Sequence, residues 1–413
     1  MRFLRFIPLL VALLGLSLNS GRAEFSDART PAGSPSNRNL FRELLGKSET
    51  ELDAKLDAAW RHFFAGDADH QRLYYAAGAD QAYIADTGNN DVRSEGMSYG
   101  MMLAVQLDKK AEFDRLWRWA DQHMRHAGGP RKGYFAWQCK FDGTQLDPGS
   151  ASDGEEWFAT ALLFASCRWG DGQGVLNYSA EAQALLREML RKQSTSEVTS
   201  IFDRQEKQVV FVPNPEASRF TDPSYHLPAF YEIWARWSKN AGDRRTWLEI
   251  ADTSRAFFRR AAHPQTGLMP EYAHFSGAPF TATTFGAGKG DFRYDAWRTL
   301  ANVSLDYAWW RADPWQVEQS NRVLRFLGQH APAVPNQFSL DGKPLSTDTS
   351  IGLIAMAAVA GQAADPALAR PFVEQLWNAP LPEGRWRYYN GLLYFLGLLQ
   401  AGGRFHAYLP PSP

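Results

Sequence analysis

The sequence predicts an all-α fold, an (α/α)6 toroid of six inner and six outer helices. Three observations predict it. Stretches apolar along one stripe alternate with stretches apolar nearly all round. The alternation repeats as six pairs. Strand signals are confined to residues 208–212 and the neighbourhood of 134–137. A helix apolar on one stripe covers a core, whereas one apolar all round is buried on every side. An irregular all-α bundle is the alternative arrangement of the same helices.

The elements follow in order. Residues 49–64 are amphipathic, with Leu52, Leu56, Trp60, Phe63 and Phe64 at helical spacing. Residues 94–108 are rich in Gly, Met, Leu and Val and carry only Glu95 as a charge before Asp108. Residues 110–126 are amphipathic again through Phe113, Leu116, Trp117, Ala120 and Met124, and 155–168 are apolar again. The same alternation continues as 179–192 and 224–238, 243–262 and 295–310, 315–330 and 349–362, and 365–377 and 386–400, amphipathic stretch first in each pair. No low-complexity linker interrupts the series, so one domain over 37–408 fits better than two, with 24–36 as a flexible lead-in.

Composition bounds the function. Among 413 residues, Lys+Arg number 44 and Asp+Glu 45, for a formal net charge of −1. That balance argues against a nucleic-acid partner, which demands a basic excess. Aromatic content is high at 14%, with 15 Trp and 15 Tyr. Such rings either fill a helical core or line a cleft that stacks on sugars. Arg2 and Arg5 precede an apolar run from Phe6 to Leu18, and Gly21-Arg22-Ala23 follows. This reads as a secretory signal over 1–23, too short to span a bilayer. The mature chain is therefore expected to be secreted or periplasmic and off the membrane, with a monomer favoured. Cys139 and Cys167, the two cysteines, could pair after export, although two buried thiols fit the apolar setting of Cys167 better. Neither cysteine belongs to a metal-ligand pattern, so no metal and no cofactor is expected.

Polar residues gather where the apolar stretches begin: Ser94-Glu95, Ser152-Asp153-Gly154-Glu155-Glu156, Asp222-Pro223-Ser224-Tyr225, Tyr294-Asp295-Ala296-Trp297-Arg298, Thr347-Asp348-Thr349, and Arg385 to Asn390. Each alone is explained as a helix cap. In a toroid, however, all six starts meet at one mouth. Their aromatic neighbours there are Tyr99, Trp137, Trp157, Tyr225, Tyr294, Trp297, Tyr388 and Tyr389. Carboxylates and rings in one cleft suit glycoside hydrolysis, in which one carboxylic acid protonates the leaving oxygen and a second carboxylate acts on water or carbon.

These motifs resemble glycoside hydrolase family 8. Ser94-Glu95-Gly96-Met97-Ser98-Tyr99-Gly100-Met101 is similar to the family's acid-bearing signature, and Ala151-Ser152-Asp153-Gly154-Glu155-Glu156 to its second carboxylate motif. The Asp222 and Tyr294 segments follow in family order. The resemblance runs from about Leu40 to Leu399 and implies an (α/α)6 inverting enzyme. It implies Glu95 as general acid, Asp295 as general base, and Asp153 as the residue that binds and distorts the sugar at the cleavage subsite. Tyr99, Trp137, Tyr225, Tyr294, Arg298, Tyr388 and Tyr389 are the expected substrate contacts. An acid needs its pKa raised by burial or a nearby carboxylate, against the pull of a helix N-terminus. Arg298 places a cation beside Asp295, which suits a base. Inversion calls for carboxyl groups roughly 6.5–9.5 Å apart.

The runs Gly133-Tyr134-Phe135-Ala136-Trp137, Arg168-Trp169-Gly170-Asp171-Gly172 and Ser224-Tyr225-His226-Leu227-Pro228 look most like the branch that releases xylose from the reducing end of xylooligosaccharides. In that branch a loop bearing a histidine narrows the cleft, and residues 335–350 here hold no histidine. Endo-xylanase and β-1,4-glucanase action stay open as alternatives. Two other motifs are weaker. Gly96-Met97-Ser98-Tyr99-Gly100 matches the nucleophile elbow of serine hydrolases, but that motif needs a strand before it, and the sequence there reads as a polar loop. Gly286-Ala287-Gly288-Lys289-Gly290 lacks phosphate-loop spacing. A non-catalytic glycan-binding protein would keep the rings without needing both Glu95 and Asp295.

Overall fold

Thirteen α-helices carry the fold among the described residues, 37–410, of a computed structural model. The expected signal sequence and the lead-in over 24–36 lie outside the described residues. The helices are α1 (Leu40–Leu45), α2 (Glu49–Ala65), α3 (Ser94–Gln106), α4 (Lys110–Trp119), α5 (Ser152–Trp169), α6 (Tyr178–Arg191) and α7 (Pro228–Trp237). They continue as α8 (Ala241–Ala261), α9 (Arg298–Trp310), α10 (Trp315–Gly328), α11 (Ile351–Ala360), α12 (Pro366–Asn378) and α13 (Arg387–Ala401).

The apolar stretches are the buried helices. Every residue of α3 except Glu95 is buried, and every residue of α11 except Ile351. The amphipathic stretches bury one stripe each; in α4 that stripe is Phe113, Leu116, Trp117 and Trp119, with Asp114 beside it. Contacts follow the same division. The buried helices touch in sequence, α3 on α5, α5 on α7, α7 on α9, α9 on α11 and α11 on α13, and α13 returns to α3. Each carries one amphipathic partner: α4 on α3, α6 on α5, α8 on α7, α10 on α9, α12 on α11 and α2 on α13. Burial of a large apolar side chain stabilises by about 1.5–3 kcal/mol. The leucines and Phe395 of α13 therefore outweigh surface pairs such as Lys47–Glu51 at 3.2 Å, each worth under about 1 kcal/mol.

Several local expectations are corrected. The fold is mostly helical as expected, with one addition: a five-stranded antiparallel sheet in the order β1 (Tyr74–Ala77), β2 (Gln81–Asp86), β3 (Asp91–Arg93), β4 (Gln138–Cys139) and β5 (Gln145–Asp147), with α3 and α4 inserted between β3 and β4. Its strands are too short to show a period in the sequence. The strand expected at 208–212 is instead a loop with a single bridge, Phe202 to Val209, while the signal near 134–137 lies just before β4. The stretch from Asp86 to Asp91, read as an open polar loop, is a tight turn between β2 and β3. Asp86 Oδ1 accepts from the Gly88 and Asn89 amides at 2.9 and 3.2 Å, and Asn90 sits at φ 58°. A strand thus does precede Ser94. The nucleophile-elbow reading fails on other grounds: Ser98 lies inside α3, fully buried, with its hydroxyl donating to the Glu95 carbonyl at 2.9 Å.

The sheet positions the site. β3 runs directly into α3, and the Ser94 amide donates to the Trp137 carbonyl at 3.0 Å, which fixes Trp137 beside the start of α3. Cys139 is buried in β4 and Cys167 half-buried near the end of α5, each a free thiol.

Candidate active site

The starts of the buried helices converge on one cleft. Glu95 lies in the first turn of α3 and Asp153 in the first turn of α5. Asp295 lies in the 3-10 turn Tyr294–Trp297 that opens α9, and Tyr225 ends the 3-10 turn Pro223–Tyr225 before α7. Tyr388 and Tyr389 belong to the first turn of α13. Two glycines permit the approach. A Cβ on Gly154 would stand 2.5 Å from Ser94 Oγ, and one on Gly96 would stand 2.6 Å from the Tyr388 ring. Only bare backbone lets α5 and α13 come this close to α3. Gly154→Val should therefore push α5 off α3 and cut kcat about a hundredfold, as misplacement of a reacting group does. Steady-state kinetics with unchanged kcat would remove this role for the contact.

One guanidinium gathers the carboxylates. Arg298 Nη1 donates to Glu95 Oε2 at 3.0 Å, to Asp153 Oδ2 at 3.1 Å and to the Tyr99 hydroxyl at 2.7 Å. Its Nη2 lies 3.0 Å from Asp295 Oδ1, an ion pair without hydrogen-bond alignment. Arg298 is buried, and its guanidinium sits 5.5 Å from the Tyr225 ring and 5.9 Å from the Tyr389 ring. The Tyr388 hydroxyl donates to Glu95 Oε1 at 3.1 Å, and the Tyr389 hydroxyl reaches Asp295 Oδ1 at 3.5 Å. Burial is the main influence on Glu95. Arg298 opposes it, but the charges of Asp153 and Asp295 add to it, and the carboxyl is pushed up to about 7. The same burial lifts Asp153 to about 6. Asp153 Oδ1 has no protein hydrogen-bond partner.

The cleft has two lobes that share Arg93 and Asp295. The larger, about 440 Å³, holds Glu95, Asp153, Trp137 and Tyr225 together with Phe211, Tyr272 and Phe285. The smaller, about 320 Å³, holds Tyr294, Tyr388, Tyr389 and Trp386. Of the expected contacts, Trp137, Tyr225, Tyr294, Tyr388 and Tyr389 line a lobe. Arg298 and Tyr99 do not: Arg298 is buried and holds the carboxylates instead, and the assignment of both as sugar contacts is corrected. Tyr99 is buried below the floor, its hydroxyl accepting from Arg298 and its ring edge-on to Trp157 at 4.7 Å. A position four residues after Glu95 lies one helical turn deeper. Trp157 and Trp297 are likewise core residues, and Asp348 is exposed outside both lobes.

The sequence reading missed several groups. Arg93 pairs with Asp86 at 3.2 Å and Asp91 at 3.1 Å and lies 5.4 Å from the Trp137 ring. Its place directly before Ser94-Glu95 was the available signal. Tyr272 and Phe285 come from segments with no periodicity, so nothing in the sequence marks them, and Phe211 lies in the stretch 208–212 that was read only as a strand. Behind Tyr272, Glu271 pairs with Lys289 at 2.6 Å, and burial, reinforced by the charge of Asp295, pushes its carboxyl up to about 7.

A carboxyl held protonated near neutrality, further acids within reach of the same cation, and a ring-lined cleft define the class of glycoside hydrolases. The family described as Glycosyl hydrolases family 8 matches residues 78–403. The chain belongs to that family. It is 46% identical over 375 residues to the reducing-end xylose-releasing exo-oligoxylanase Rex8A of Paenibacillus barcinonensis, covering 90% of this chain and 96% of that one. It is 41% identical to the reducing end xylose-releasing exo-oligoxylanase of Halalkalibacterium halodurans, covering 90% and 95%. Among solved structures, the xylohexaose complex of a catalytic mutant of a family 8 xylanase from Teredinibacter turnerae superposes with a TM-score of 0.88 at 45% identity, covering 91% of this chain and 98% of that one.

Proposed function

We propose that this enzyme hydrolyses β-1,4-xylosidic bonds of xylooligosaccharides with inversion, releasing xylose from the reducing end. The observation that carries the mechanism is Arg298 holding Glu95, Asp153 and Asp295 around one cleft. Glu95, protonated up to about pH 7, donates its proton to the departing glycosidic oxygen. Asp295 takes a proton from water, which attacks the anomeric carbon from the opposite face. Asp153, on the wall of the larger lobe and with its buried Oδ1 left without a protein partner, binds the sugar at the point of cleavage. Trp137 and Tyr225 stack on pyranose faces on one side, and Tyr294, Tyr388 and Tyr389 contact the sugar on the other.

The exo-oligoxylanase relatives support the substrate and the reducing-end mode. The six buried helices in closed succession, each with an amphipathic partner, support the finer architecture, an (α/α)6 toroid. Export through the N-terminal signal, to the periplasm or beyond, and a monomeric state belong to the same proposal. Endo-acting xylanase is the second reading, favoured by the histidine-free stretch over 335–350.

Proton NMR of fresh hydrolysate from xylotriose tests the mechanism. The new reducing end should appear first as the α anomer. A β anomer at the earliest times would exclude the paired roles of Glu95 and Asp295.

A further inference from the structure

Trp386 is the most exposed large apolar side chain at the cleft, 63% accessible, yet it is held firmly in place. Its ring lies so near Gly88 that a Cβ there would stand 2.5 Å from it. The Arg385 guanidinium covers the indole at 4.8 Å and donates to the Gly88 carbonyl at 3.0 and 3.2 Å. Thr87 Oγ1 donates to the Arg385 carbonyl at 2.9 Å, which ties the same knot to the β2–β3 turn. An exposed indole buries little area, so its own folding does not require this clamp. A rigid ring facing a glycan cleft is a ligand contact by default.

Its location gives it a second effect. Asp153 lines only the larger lobe. In the proposed function, the sugar at the cleavage point therefore occupies that lobe, and the reducing-end residue enters the smaller one. Trp386 lines the smaller lobe. Past it, Thr87 and Arg385 line a third cavity of about 580 Å³, together with Tyr75, Tyr83 and Phe141. The Trp386–Arg385 pair thus stands between a small lobe and a larger ring-lined cavity.

We propose that Trp386, clamped by Arg385 and Gly88, is the specificity-determining wall that ends the leaving-group side of the cleft after one xylose. This rests on the reducing-end reading above and assigns that property to the start of α13 and the β2–β3 turn. Removing the indole joins the two cavities, so a chain can extend past the cleavage point.

The test uses xylopentaose carrying carbon-13 at C1 of its reducing-end residue, with labelled fragments sized by mass spectrometry. Wild-type enzyme should release labelled xylose alone. Trp386→Ala should release labelled xylobiose and xylotriose, with the ratio of labelled xylobiose to labelled xylose raised at least about tenfold, within the range a reshaped pocket gives. Gly88→Ala, which displaces the ring without deleting it, should shift the products the same way to a smaller extent, and Trp386→Phe should shift them least. Labelled xylose as the sole labelled product of both Trp386→Ala and Gly88→Ala overturns the wall. A spread of labelled fragments from the wild type overturns the reducing-end reading itself, and the wall with it.

Discussion

Glu95→Gln is expected to lower kcat on xylotriose by about three orders of magnitude, within the 10²–10⁴ that a positioned proton donor contributes. Glutamine keeps the size of the side chain; its carbonyl can still accept from Arg298, and its amide N–H can donate to the Tyr388 hydroxyl, whose own proton rotates away, so the fold should survive. Glutamine has no acidic proton to give. The loss should shrink below about tenfold with 2,4-dinitrophenyl β-xylobioside, whose phenolate departs unprotonated, because only the acid's share of the barrier has been removed. Asp295→Asn should show no such recovery, since water activation is needed for either leaving group. The pH profile gives an independent check. In the proposed role Glu95 acts in its protonated form, and burial pushes it up to about 7, so wild-type kcat/KM should fall as pH rises through that value. The residual activity of Glu95→Gln should lack that alkaline limb. The substitution has the opposite effect on stability. A carboxyl raised from 4.5 to about 7 costs stability progressively as pH rises through that window, on the order of 3 kcal/mol above it. Glu95→Gln should therefore melt higher than wild type at pH 8 and similarly at pH 4. If activity were lost equally on both substrates, Glu95 would not be the proton donor.

Much of this site was legible because its residues do two jobs. Glu95, Asp153 and Asp295 open helices, and helix starts leave a sequence signature in capping residues followed by an apolar run. That signature places each carboxylate at an end of a buried element, and a common mouth follows from the alternation of buried and amphipathic helices. Tyr99 shows where the reasoning fails. Sequence proximity to Glu95 suggested the cleft, yet the pitch of α3 carries the ring one turn down, where it supports Arg298 instead. The sheet was invisible for a different reason. Strands of two to six residues carry too few alternations to separate from loop, and β4 has only Gln138 and Cys139. The aromatic wall of the larger lobe came from irregular loops, where side-chain direction depends on tertiary contacts such as Phe211 against Tyr272 at 4.3 Å. What the sequence offered for Trp386 was composition alone. Its meaning comes from Gly88, which is distant in the chain and lies beneath the ring.

Arg298→Met should be the most destabilising change at the site, and its pH dependence separates what the cation does for the reaction from what it does for the fold. Arg298 is buried with Glu95, Asp153 and Asp295 around it. Removing one member of a buried ionic group typically costs about 3–5 kcal/mol, since the remaining charges stay desolvated and unpaired. Here the loss should depend on pH in a defined direction. Arg298 lowers the pKa of Glu95 and of Asp153, so its removal lets burial raise both further above their unfolded values. An acid whose folded pKa is raised loses stability as pH rises from the unfolded to the folded value. The drop in melting temperature relative to wild type should therefore be small near pH 4 and large at pH 8. Loss of the guanidinium also frees the carboxylates from a common centre, and kcat should fall by about 10²–10³, the usual effect of deleting a preorganised charge. Arg298→Lys separates the two contributions. Lysine restores a cation but not a planar fork able to reach Glu95 and Asp153 through one nitrogen and Asp295 through the other. It should recover most of the melting temperature at pH 8 and little of kcat. Full recovery of kcat in Arg298→Lys would mean that charge alone, and not the fork's geometry, organises the three acids.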